Sequence, residues 1–194
     1  MDVVQRVKEI TLKPKDTWPV IKTEQSTIKE MYTSYAVILA AIPPIASFIG
    51  LSLIGISMLG MHYRTSFGMG ISQAVVSYVL SLVGLYVVAQ IIDALAPSFG
   101  SQKNLVNAFK VAVFSWTPSW IAGILFIIPT LSPLAVLISL YSLYIFYLGL
   151  PIMMDTPKDK AMGYFIITIV ISIIIFILIG TVSRALFGMG RMGM

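Results

Sequence analysis

The sequence predicts an all-α integral membrane protein: five transmembrane helices preceded by a short amphipathic cytoplasmic segment. Three observations carry this. Of 194 residues, 58% are hydrophobic and only 11% are charged, whereas globular domains carry roughly 25% charged residues. Apolar runs long enough to cross a hydrocarbon core of about 30 Å recur along the chain. The basic residues lie at the ends of those runs, so topology accounts for the net charge of +5 and nucleic acid is not an expected partner.

Residues 1–30 hold eleven charges and no run resembling the apolar core of a signal peptide, so this segment is expected to remain in the mature protein. Val3, Val4, Val7 and Ile10 recur at helical spacing among Arg6, Lys8 and Glu9, a pattern suited to the headgroup plane or to packing on the ends of the spans. Lys13-Pro14 breaks it. A second short helix is expected after Pro19, with Trp18 as an interfacial anchor.

The membrane domain is drawn over residues 31–187, with spans at about 33–60, 71–96, 105–129, 133–150 and 161–183, and a mobile tail at 188–194. Thr27-Ile28-Lys29-Glu30 is a capping-box pattern opening the first span. Pro97 and Gly100 separate the second span from the third, while Gly149 and Pro151 end the fourth. Ser132-Pro133 and Thr156-Pro157 place an N-cap before a proline at N1, with Asp159 in the first turn of the last span.

Orientation follows from the positive-inside rule. With a cytoplasmic N-terminus, the inside collects ten basic residues: Arg6, Lys8, Lys13, Lys15, Lys22, Lys29, Lys103, Lys110, Lys158 and Lys160. The outside keeps three, Arg64, Arg184 and Arg191. The chain is therefore expected in the cytoplasmic membrane with its N-terminus inside and its C-terminus outside.

Polar residues inside the spans are the candidate sites. Pro118 removes a backbone donor in the third span, and freed backbone groups cost several kcal/mol in lipid unless neighbours satisfy them. Ser115, Thr117 and Ser119 are the expected local repair. Ser115, Ser119 and Gly123 also have small-xxx-small spacing, which suits a helix interface. Tyr141, Tyr144 and Tyr147 form a stripe on the fourth span, with Tyr144 near the depth of Pro118, so their hydroxyls are expected to close the loosened turn. The other reading of the kink is a substrate or ion cavity, and Pro43-Pro44 interrupts the first span in the same way. Asp93 ends the second span where the helix dipole disfavours a carboxylate, so an ion pair with Lys110 or Lys103 is expected.

With no cysteine, disulfide frameworks and thiolate chemistry are excluded. His62 with Met58, Met61 and Met69 is a weak Cu(I) pattern, and no metal or cofactor is expected. HExxH, P-loop and GxSxG motifs are absent from the sequence, and no base lies beside a nucleophile, so an enzyme is not expected.

Three stretches, LKPKDTWPVIKTE, LAPSFGSQKNLVNAFKVAVFSWTPSW and LYSLYIFYLGLPIMMDTPKDKA, together resemble the Yip-one domain family of Ypt/Rab-interacting membrane proteins, in its prokaryotic branch. The pattern includes Phe99 and Gly100, Thr117-Pro118, then Tyr141, Tyr144, Gly149, Leu150 and Pro151 before the turn from Pro157 to Ala161. The resemblance implies five membrane helices and a cytoplasmic N-terminus, with no catalytic residues. Eukaryotic members associate with prenylated Rab GTPases and other Yip proteins in vesicle trafficking. Prokaryotes lack that system, so a Rab-type GTPase is a partner by analogy only. A non-enzymatic role in membrane organisation through partner binding is expected, with a homo-oligomer or another membrane protein as partner. A small transporter or channel passing the Pro44 and Pro118 kinks is the alternative.

Overall fold

In the computed structural model, the backbone is described for residues 2–58 and 61–188 and the side chains for residues 2–55 and 64–178. Asp2 opens helix α1 (Val3–Leu12) by accepting from the amides of Val4 and Gln5 at 3.0 and 3.3 Å, satisfying donors that a helix start leaves free. Pro14 opens helix α2 (Pro14–Thr23), where its missing N–H costs nothing. The second short helix thus begins before Pro19 rather than after it. Its Trp18 is fully buried in the core, not an interfacial anchor.

Five helices are long and apolar enough to cross a membrane: Ile28–Ile54, Phe67–Phe99, Leu105–Ile127, Pro129–Met154 and Lys158–Leu178. The last continues as helix to Gly188, and residues 189–194 of the expected tail lie outside the described residues. Thr27 and Glu30 form the expected capping box, with Glu30 N–H to Thr27 Oγ1 at 3.2 Å and Thr27 N–H to Glu30 Oε2 at 2.8 Å. The first span is irregular. It carries wide π-type turns at Tyr32–Ala36 and Ile49–Ile54 and a break before Pro43-Pro44. It stops at Ile54, short of the expected residue 60. There Gly55 adopts φ 87°, and strand β1 (Ile56–Met58) pairs antiparallel with strand β2 (Met61–Tyr63). The side chains of the Met58, Met61 and His62 cluster lie outside the described residues.

Pro97 and Gly100 end the second span as expected. Gly100 takes φ 74°, and the amides of Gly100 and Ser101 return to the carbonyls of Pro97 and Ala96 at 3.2 and 2.9 Å, a glycine-closed helix end. Two expected N-caps are not made. Ser132 donates to the Pro129 carbonyl at 2.7 Å, because a 3-10 turn at Pro129–Leu131 already leads into the helix. The Thr156 hydroxyl pairs with that of Ser101 at 2.8 Å instead of capping the last span. That bond joins the second-to-third loop to the fourth-to-fifth loop, and an ion pair between Lys22 and Asp155 adds α2 to the same end.

The third span is the centre of the bundle: 61% of its apolar window is buried, against 22% to 33% for the other four. It packs between the second and fourth spans, the fifth lies against the second, and α2 lies against the fourth. The many exposed Val, Ile and Leu side chains on the other four spans are the faces that lipid would cover. Trp18 locks α2 onto the fourth span. Its Nε1 donates to the Ile145 carbonyl at 3.1 Å, and a Cβ placed on Gly149 would lie 2.3 Å from its ring. Glycine at 149 is what lets the indole lie on the helix backbone.

Candidate functional site

The third span is interrupted where the sequence places the interruption. Helix Leu105–Ser115 ends, Trp116 intervenes, helix Thr117–Ala122 restarts with proline in its first turn, and Gly123–Ile127 tightens to 3-10 geometry. The polar groups around the break are paired across spans. Thr117 Oγ1 and Tyr35 Oη, from the first span, share a buried hydrogen bond of 2.7 Å. The Ser119 amide donates to Ser142 Oγ at 3.1 Å, and the two serine hydroxyls lie 2.7 Å apart. Ser115 Oγ is buried with no partner among the described residues.

The tyrosine stripe does not close this turn. With about 100° per residue, Tyr144 sits roughly 200° around the helix from Ser142; because Ser142 faces the kink, Tyr144 faces away and is 42% exposed. Tyr147 packs edge-on against Phe165, with ring centroids 5.5 Å apart. Neither of these two hydroxyls makes a hydrogen bond among the described residues. Tyr141 reaches α1 instead, donating to the Thr11 carbonyl at 3.0 Å. Nor do Ser115, Ser119 and Gly123 form one interface. The serines turn toward the fourth and fifth spans, while a Cβ on Gly123 would lie 2.5 Å from Pro43 Cγ in the first. The change to 3-10 geometry at Gly123 shifts the face, and it brings the two proline-bearing segments into contact.

Beside the kink lies a cavity of about 330 Å³. Six hydroxyl side chains line it, from Ser115, Ser119, Ser139, Ser142, Thr168 and Ser172. The rest of its wall is apolar or aromatic, from Trp116, Phe146, Ile173, Phe176 and their neighbours. Thr168 and Ser172 were missed in the sequence, although their i, i+4 spacing in an isoleucine-rich span was a visible signal.

The expected ion pair of Asp93 with Lys110 or Lys103 is not formed. Lys110, only 3% exposed, sends Nζ to the carbonyls of Ile21 and Glu24 at 3.0 and 2.6 Å. It caps the C-terminus of α2, where orphan carbonyls and the helix dipole both favour a cation. Lys103 is exposed in the loop. Asp93 keeps a buried Oδ1 without a hydrogen-bond partner, next to Ile92, whose carbonyl accepts from Tyr164 Oη. Packing of the N-terminal segment on the span ends is one of the two expected readings, but nothing in the spacing of the sequence joins residue 110 to residue 21, so the contact that docks α2 is not legible there.

That docking builds a second polar region. Arg6, 7% exposed, pairs with Glu24 and with Glu9 at 3.4 Å, and its guanidinium lies 5.7 Å from the centre of the Phe114 ring. These groups border a cleft of about 730 Å³ whose wall also carries Asp2, Gln5 and Glu30. Among the described residues there is no group of three or more His, Asp or Glu side chains placed to hold a metal ion.

Fold and polar sites together define a five-span helical membrane protein with a hydroxyl-lined interior and a docked N-terminal helix pair. Residues 8–179 match the Yip1 domain model, and the chain belongs to that family. It is similar to the inner membrane protein YohC of Escherichia coli K12, with 28% identity over 175 residues covering 88% of this chain and 90% of the relative. The protein of the same name in Escherichia coli CFT073 matches with the same 28% identity and coverage. No solved structure matches.

Proposed function

We propose that the chain is a non-enzymatic protein of the inner, cytoplasmic membrane that acts through partner contacts at its N-terminal face, in membrane organisation or a trafficking-like role. One observation carries this reading. Trp18, Lys110 and Lys22 fasten α2 across the end of the bundle, Tyr141 and the Arg6–Glu24 pair hold α1 beside it, and an acid-rich cleft of about 730 Å³ lies between α1, the end of α2 and the start of the first span. The cleft's carboxylates hold structure: Asp2 caps α1, Glu30 completes a capping box, and Glu9 and Glu24 pair with Arg6. Such a surface recognises by charge and shape. The face is cytoplasmic in this reading because the joined loops and α2 gather most of the basic residues at one end. The partner is another membrane protein or a second copy of the chain.

Photo-crosslinkers at Gln5 and Ser34, which line the cleft, should give discrete protein adducts in membranes; one at Leu137, on an exposed face of the fourth span, should not. Equal labelling from all three positions would contradict the reading. A second reading, a small transporter, is favoured by the 330 Å³ cavity and by the contact between the Pro43 and Pro118 segments. Loss of solute flux in proteoliposomes on Pro118→Ala, in a protein that stays folded, would select it.

A further inference from the structure

We propose that the cavity at the Pro118 kink binds a neutral amphiphile drawn from the bilayer, an aliphatic chain ending in one hydroxyl, with the chain along the apolar wall and the hydroxyl on the serines. This stands apart from partner binding at the N-terminal face.

Four observations converge. The first is the hydroxyl inventory. Ser139, Thr168 and Ser172 donate back to the carbonyls of Ala135, Tyr164 and Thr168 at 2.8, 2.8 and 2.7 Å, so they offer the cavity only lone pairs. The second is Ser115, 1% exposed, a residue of the cavity wall whose Oγ is buried without a hydrogen-bond partner among the described residues. A buried hydroxyl left unpaired is costly and is the group a ligand would satisfy. A ligand hydroxyl both donates and accepts, so it can meet Ser115 and the surrounding lone pairs together.

The third is charge. No ionisable side chain among the described residues lines the cavity, so an anionic or cationic headgroup would be buried there without a counter-charge from them. The fourth is access. Leu143 and Ile173 belong to the wall and are 40% and 52% exposed, which places the mouth between the fourth and fifth spans, on the face that lipid covers. A volume of about 330 Å³ lies at the lower end of the roughly 300–1,000 Å³ typical of small-ligand sites.

The test uses the full chain in detergent or nanodiscs with octanol, octane, octanoate and octylammonium as probes. Binding is read by isothermal titration and by quenching of Trp116, a wall residue, with bromo-octanol. Saturable binding of octanol over the other three is expected. Ser115→Ala should weaken it about fivefold, the worth of one neutral hydrogen bond. Ser172→Leu and Ser139→Leu, each of which fills the space, should abolish it while gel-filtration behaviour is retained; two fillers guard against one failing to fold. Binding of octane as tight as octanol, preference for either charged probe, absence of saturable binding, or indifference to both fillers would overturn the proposal. Cross-linking of a second copy through position 173, in place of alcohol binding, would overturn it in favour of a dimer contact.

Discussion

Lys110 shows how a single residue organises one end of this molecule. Its ammonium is buried at the end of α2 and holds two carbonyls, so Lys110→Met should destabilise the fold by about 1.5–3 kcal/mol, the range for hydrogen bonds to charged groups. Limited proteolysis between residues 13 and 26 should report the released helix; cleavage no faster than in the parent protein would contradict this. Gly149→Ala puts a methyl group 2.3 Å from the Trp18 ring, and overpacking of this kind costs about 1–3 kcal/mol. Combining it with Trp18→Leu should recover part of the loss, a coupling measurable as a double-mutant cycle in thermal unfolding. At this scale the sequence marked Lys110, Ser115, Thr117 and Ser119 as unusual, because polar groups are conspicuous in apolar runs. It did not reveal their partners. Ile21, Tyr35 and Ser142 come from other elements, 23 to 89 residues away in the chain, and no local spacing encodes such distances.

At the scale of elements, proline and glycine were the legible signals. Pro118 breaks the third span, Pro97 and Gly100 close the second, and the capping box starts the first. The exact end of the first span was not legible, since its apolar character continues through a segment that turns at Gly55 into a short hairpin. The expectation for the tyrosine stripe rests on its depth along the span and on the lean of helical side chains, and depth does not fix which way the helix is rotated. The kink should therefore depend on serine and on Tyr35, not on Tyr144. Ser142→Ala removes the acceptor of the Ser119 amide and leaves the Ser119 hydroxyl only the long bond to the Ser139 carbonyl at 3.4 Å, and should cost about 1–2 kcal/mol. Tyr35→Phe should cost about 1 kcal/mol by leaving Thr117 Oγ1 unpaired. Tyr144→Phe should leave the unfolding midpoint unchanged. A loss at Tyr144 equal to that at Tyr35 would contradict the observed geometry.

Across the whole molecule, charge and chain path agree. The loop after the second span, the loop after the fourth, and α2 meet through Ser101–Thr156 and Lys22–Asp155, so the residues counted for the positive-inside rule share one end. An odd number of spans puts the β1–β2 hairpin and the Pro129–Leu131 turn at the other. The N-terminal helices add to this architecture by plugging one end of the bundle with Trp18. The most direct measurement uses the absence of native cysteine: single-cysteine variants Gln102→Cys and Thr130→Cys, both at exposed loop positions, are probed with an impermeant maleimide. Thr130→Cys should label in intact cells and Gln102→Cys only in inverted vesicles. Labelling of both from the same side would contradict the five-span arrangement on which every pairing of faces depends.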